Sequence, residues 1–138
     1  MESQSDCPFC RICSGEATAV LLFENDETLA FMDIRPAAEG HSLVIPRAHF
    51  FDVLDLPEAL ARTCAAATQR LAAAIQRALS PDGIRINQYN GRAAGQTVFH
   101  YHLHVVPVMT GRKPPSHGRD VADATHLERV ATRIRQNL

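Results

Sequence analysis

The chain has 138 residues, 46% of them hydrophobic, with 14 Lys and Arg against 15 Asp and Glu for a net charge of −1. That length buries one core and is too short for two ordinary domains. The balanced charge and ordinary apolar content exclude a disordered chain and an extended basic footprint for nucleic acid, so any phosphate-bearing partner is expected to be a small molecule held at a local site.

The first residues, Met1-Glu2-Ser3-Gln4-Ser5-Asp6, are polar and partly acidic rather than a basic lead into an apolar signal region. No apolar run approaches membrane-spanning length. A cytoplasmic protein without membrane contact is expected.

Three of the four cysteines lie together in Cys7-Pro8-Phe9-Cys10-Arg11-Ile12-Cys13, a short turn or helical loop ending at Gly15. Without a secretion signal the thiols stay reduced, so Cys7 and Cys10 read as a metal pair or a redox motif rather than a disulfide. Only two of the usual four zinc ligands are local, Cys13 competes as a ligand, and a buried thiol cluster is the bland alternative. Cys64, among alanines, reads as core.

Ala19 to Glu24 and Thr28 to Asp33, separated by Asn25-Asp26-Glu27, read as a hairpin of two mostly buried strands. Asp33 ends its strand beside the turn Ile34-Arg35-Pro36. It suits a turn former, and equally a carboxylate that accepts two hydroxyl hydrogen bonds from a ribose diol. A third strand, Ser42 to Pro46, follows Ala37-Ala38-Glu39-Gly40-His41 and leads to Arg47-Ala48-His49.

From Asp55-Leu56-Pro57-Glu58 to Leu79 the apolar period turns helical, with Leu60, Cys64, Ala67, Leu71, Ile75 and Leu79 on one stripe. Asp55 and Glu58 match a capping box, and Ser80-Pro81-Asp82-Gly83 stops the helix. Ile84 to Tyr89 alternates as a strand. The loop Asn90 to Thr97 carries glycine, amide and hydroxyl groups of the kind that cradle phosphate.

Thr97-Val98-Phe99-His100-Tyr101-His102-Leu103-His104-Val105-Val106-Pro107 alternates with period two, which predicts a strand with three imidazoles on one face. Histidines in a row suggest proton transfer, nucleophilic attack or metal binding. Alternate residues of a strand are roughly 6.6 Å apart and the end members roughly 13 Å, so one ion reaches neighbouring rings but hardly all three. The roles must be divided. Beyond Pro107, Met109 to Arg119 reads as a mobile surface segment. A last helix is expected from a second capping box, Thr125-His126-Leu127-Glu128, with Leu127, Val130, Ala131, Ile134 and Leu138 as its packing stripe.

His-X-His-X-His followed by two apolar residues, directly after Gly95-Gln96-Thr97, resembles the signature of the histidine triad nucleotide-binding proteins. Asp33-Ile34-Arg35-Pro36 and Gly40-His41-Ser42-Leu43-Val44-Ile45-Pro46, followed by a basic residue and a histidine, resemble the same family in the same order. The sequence departs from that pattern at Tyr89, where many relatives carry asparagine, and at Val108, where many carry arginine.

The resemblance implies an α+β fold with a five-stranded antiparallel sheet, one long helix and a homodimer. It sets the family domain at residues 7–108, with 109–138 as a C-terminal loop and helix extension. It further implies a hydrolase that releases a nucleoside 5′-monophosphate from phosphoramidate, acyl-adenylate or dinucleoside polyphosphate substrates, with an AMP-type purine nucleotide as ligand. By motif position Asp33 would hold the ribose, Ile34 line the base pocket and His41 lie near the nucleotide. Asn90, Gly95, Gln96 and Thr97 would surround the phosphates, His102 would be the nucleophile, and His104 would bind a phosphate oxygen. Relatives with an N-terminal Cys-X-X-Cys imply a structural zinc on Cys7, Cys10, His49 and His100. No catalytic metal is expected. The rival readings are a metalloenzyme whose triad holds a catalytic ion, and a nucleotide-binding module without turnover.

Overall fold

The computed structural model describes residues 4–138. The chain forms α1 (Pro8–Ser14), β1 (Leu21–Glu24), β2 (Thr28–Met32), β3 (Ser42–Pro46), α2 (Glu58–Leu79), β4 (Gly83–Asn87), a 3-10 turn at Arg92–Ala94, β5 (Leu103–Val108) and α3 (Ala124–Arg135). The strands make one antiparallel sheet in the order β1-β2-β3-β5-β4. The expected α+β class, five-stranded sheet, long helix and C-terminal helix are all present. Among the described residues no helix is long and apolar enough to cross a membrane.

Both faces of the central strands are covered, which is why β2 and β3 read as continuous apolar runs. Ala30, Met32, Val44 and Val105 pack against Leu71, Ala74 and Ile75 of α2 and against Val130 and Ile134 of α3. Leu29, Phe31, Leu43 and Ile45 point the opposite way, towards Phe9, Cys7 and Cys10 of the N-terminal segment. The small side chains of α2, including buried Ala67 and Ala74, bring that helix close to the sheet. The second face, under α1, is the one on which the histidines gather.

Three local expectations are corrected. Pro57 rather than Asp55 occupies the N-cap of α2 and makes no side-chain cap. The Asp55 carboxylate instead accepts from the backbone N–H of Phe51 and Asp52, so it closes the preceding turn. α3 begins at Ala124, capped by Asp123 accepting from His126 N–H, and Thr125 lies inside the helix.

The third correction bears on function: the histidine strand begins only at Leu103. Its ladder to β3 runs through Ser42–Val105, Leu43–His104 and Val44–Leu103, and then stops. Before Leu103 the chain leaves the sheet, with Tyr101 N–H donating to Phe50 O instead of continuing the ladder. His100 and His102 are thereby freed from strict alternation and can serve different centres.

Candidate active site and metal centre

Cys7 caps α1 and Cys10 sits on its first turn, while His49 follows β3 and His100 precedes β5. These four buried side chains converge. Cys10 Sγ lies 3.3 Å from His49 Nδ1 and 3.6 Å from His100 Nδ1, Cys7 Sγ lies 3.5 Å from His100 Nδ1, and the two Nδ1 atoms are 3.2 Å apart. A tetrahedral zinc with bonds of about 2.0 to 2.3 Å spaces its ligands roughly 3.3 to 3.8 Å apart, so the donor set fits that ion.

His100 Nε2–H donates to Pro46 O at 2.7 Å, which leaves Nδ1 as a lone pair turned to the cluster. Burial lowers the His100 pKa to about 4 and lowers that of His49, which keeps both rings in the neutral form that metals bind. Cys13 lies outside the cluster and is half-buried, its thiol pushed up to about 11 chiefly by burial.

The other two triad histidines face a cavity of about 540 Å³ on the α1 side of the sheet. Phe9, Ile12, Phe31 and Leu43 give it an apolar end. Asp33, Thr97, His102 and His104 give it a polar one. Ile34 lines it while remaining 53% exposed. Asp33 is buttressed by Arg35 N–H on Oδ1 at 2.9 Å, and burial raises its pKa.

Hydrogen bonds fix the protons of the histidines. His102 Nδ1 lies 2.7 Å from His100 O, an acceptor only, so His102 carries its proton on Nδ1 and presents the Nε2 lone pair. Burial lowers its pKa and keeps it neutral.

Ala37 N–H donates to His41 Nδ1 at 2.9 Å, which places the His41 proton on Nε2. That Nε2–H meets His104 Nδ1 at 2.9 Å, so the His104 proton sits on Nε2. His104 Nε2 is buried and has no partner among the described residues. It is therefore a donor awaiting an acceptor. Burial pushes His41 and His104 down to about 4 and about 3, so this relay stays uncharged near neutrality.

Asp33, His41 and His104 also lie close enough to suggest a second metal cluster. The Ala37 bond argues against it, because a metal on His41 Nε2 would force the proton onto Nδ1, against another donor.

Asn90 and Gln96 do not line the cavity. Asn90 Oδ1 accepts from Val53 N–H and Gln88 Nε2, and Gln96 bridges Gly91 N–H to the carbonyls of Phe51 and Val98. Gly95 N–H and Gln96 N–H are spent on Arg92 O and Gly91 O. In this loop it is Thr97 that reaches the cavity wall, and the other three residues shape its path. His41 stands behind His104 rather than in the cavity.

One site residue escaped the sequence reading. The segment expected to be mobile is tied down: Arg85 donates to the carbonyls of Pro114 and Pro115, Arg35 donates to Arg119 O, and Ala122 N–H donates to Ile34 O. It delivers His117 to the cavity wall. Its only sequence signal was a histidine in a stretch without periodicity.

A neutral imidazole aimed into a cavity of about 540 Å³ beside an uncharged N–H donor makes a paired histidine site on one face of an α+β sheet. The chain belongs to the HIT family: the HIT domain matches residues 14–111. It is 36% identical over 104 residues, covering 75% of this chain and 53% of the relative, to the adenylylsulfatase HINT3 of Arabidopsis thaliana.

 Solved structures that share the fold include two with more than 30% identity. One is a Hit-like protein involved in cell-cycle regulation from Bartonella henselae, with TM-score 0.91, 34% identity, and 99% of this chain and 100% of that one covered. The other is a Zn-bound histidine triad family protein from Mycobacterium smegmatis, with TM-score 0.86, 41% identity, and 96% and 92% covered.

Proposed function

We propose that the protein is a nucleotide hydrolase that transfers a nucleoside 5′-monophosphate from a phosphoramidate, acyl-adenylate or dinucleoside polyphosphate to His102, and then to water. The observation that carries this reading is the His102 Nδ1 bond to His100 O, which leaves Nε2 as a free, neutral nucleophile on the cavity wall.

Membership of the HIT family and the adenylylsulfatase activity in the name of HINT3 support a hydrolase acting on a nucleotide. The apolar end of the cavity suits a purine base, with Ile34 against it and the Asp33 carboxylate on the ribose hydroxyls.

In the first step His102 Nε2 forms a bond to the α-phosphorus as the bond to the leaving group breaks, and the leaving group departs with the electron pair. His104 Nε2–H, held by the His41 relay, and the Thr97 hydroxyl donate to the phosphoryl oxygens. Water then attacks phosphorus, and the bond to Nε2 breaks. Asn90, Gly95 and Gln96 act by shaping the loop that carries Thr97.

Cys7, Cys10, His49 and His100 would hold a structural zinc, supported by the spacing of the four ligand atoms and by the Zn-bound relative. When bound, the ion supplies a cross-link between α1 and the segment before β5 and takes no part in the chemistry. Four free cysteines suit the reducing cytoplasm.

A homodimer joined through the sheet is supported by β4, an edge strand with Ile86 49% exposed, and by Phe51, Val53 and Leu54, exposed in the loop that Val53 N–H ties to Asn90. Sedimentation at micromolar concentration should give twice 15.2 kDa, and a 15.2 kDa species alone would contradict the dimer.

The test of the activity is a turnover screen of adenosine phosphoramidate, an aminoacyl adenylate and a dinucleoside polyphosphate on zinc-loaded protein. AMP release from at least one, with an acid-labile nucleotidyl adduct trapped on quenching, is the expected result. No release from any of them would reject the reading.

A further inference from the structure

We propose that His117 is a fourth histidine of the active site, set against the phosphoryl end of the cavity by the strap from Pro114 to Ala122, where it donates a proton to the departing group. The inference rests on the hydrolase reading above and adds to it a residue outside the segment matched by the HIT domain.

The placement is built from both ends. At one end the Arg85 guanidinium grips the carbonyls of Pro114 at 2.9 Å and Pro115 at 2.7 Å. At the other, Gly118 packs against the backbone carbonyls of Arg35 and Pro36, with no room for a Cβ, and Ala122 N–H donates to Ile34 O at 2.8 Å. The strap thus crosses from β4 to the turn that carries Asp33, and His117 lies between these anchors.

The ring of His117 is half-buried on the cavity wall. Its centroid is 5.6 Å from that of His104 and 5.3 Å from that of Tyr89, which also stacks towards His104 at 5.4 Å. Nε2–H donates to Gly95 O at 2.8 Å, leaving Nδ1 as the nitrogen available to a ligand.

The chemistry has an opening for such a group. His102 must stay neutral to attack, and His104, whose Nδ1 accepts from His41, gives its Nε2–H to a phosphoryl oxygen in a relay that burial keeps uncharged. An amine leaving phosphorus takes the electron pair of the broken P–N bond and needs one proton to depart as a neutral amine. Of the polar groups on the wall, Asp33 faces the ribose and is acceptor-only when ionised. A protonated His117 supplies the proton from Nδ1, is left neutral, and accepts one from the attacking water in the second step.

The experiment compares wild type, His117→Ala and His117→Gln on two AMP conjugates, one losing an alkylamine and one losing p-nitrophenolate, which departs as an anion without protonation. His117→Gln keeps a donor for Gly95 O, so a purely structural anchor should be rescued by it. The expected result is that both variants lower the ratio of kcat/KM for the amine to kcat/KM for the nitrophenyl ester by at least about tenfold.

An unchanged ratio, or full rescue by glutamine, overturns the inference and leaves the hydrolase reading standing. Wild-type protein inert towards both substrates overturns that reading and this inference with it. If the variants do not fold, the side-chain resonances of His117 in wild type decide: AMP should shift them, and no shift at saturation rejects the contact.

Discussion

The Nδ1 proton of His102 rests on the carbonyl oxygen of His100, 2.7 Å away, while the ring of His100 turns into the cysteine and histidine cluster. One residue therefore touches two centres, with its imidazole in the cluster and its backbone carbonyl under the His102 ring.

Removing the His102 imidazole should abolish chemistry and spare binding. His102→Gly and His102→Asn are expected to lower kcat by roughly 10³-fold or more while AMP affinity changes little. Single-turnover kinetics with AMP binding by calorimetry checks this, and substantial residual turnover would assign the attack elsewhere.

Cys10 lies within reach of both cluster histidines, so its loss should remove the ion rather than weaken it. Cys10→Ala is expected to purify without zinc and to lose more than about 3 kcal/mol of stability, seen as a fall of roughly 10 °C in Tm. Cys13→Ala should keep one zinc per chain. Metal analysis with thermal melts of the three proteins decides.

Stability should fall on acidification through the buried relay. His41 and His104 titrate at about 4 and about 3 when folded, against 6.5 for the ordinary group. Above pH 6.5 neither state binds the proton and nothing is lost. Between 6.5 and 4 the unfolded chain takes up protons that the folded chain refuses, so stability drops by about 1.4 kcal/mol per pH unit for each ring. His104→Gln should remove one of the two contributions. Denaturant midpoints from pH 7.5 to 5 measure the slope.

Gly118 has backbone carbonyls where a side chain would go. Gly118→Ala should lift the strap off the Asp33 turn, costing about 1 to 3 kcal/mol. It should also raise KM, because Gly118 forms part of the cavity wall. Melting curves and steady-state kinetics on the same preparation read both effects.

The strands and the long helix were legible because their signals are local. Apolar runs bounded by Asn25-Asp26-Glu27 or by Pro46 mark strands, and the stripe from Leu60 to Leu79 marks the helix. The four ligands of the metal cluster were reached through resemblance, since only Cys7 and Cys10 are neighbours in sequence. Period-two alternation overstated β5, because whether a strand continues depends on its partner, and β3 offers none beyond Val44.

Asn90 and Gln96 carried the right groups for phosphate, but those groups are consumed by loop contacts that composition does not reveal. His117 was invisible for a related reason. What places it is a bond to Gly95, 22 residues away, and the anchors of a segment with no period of its own.

Because the strap lies beyond residue 111, the cavity is completed by a piece of chain outside the segment that defines the family. Grafting residues 112–123 of another family member onto this chain should therefore transplant part of that protein's substrate preference while leaving the nucleophile and the metal centre in place, making this short stretch a natural point of divergence among enzymes built on one sheet.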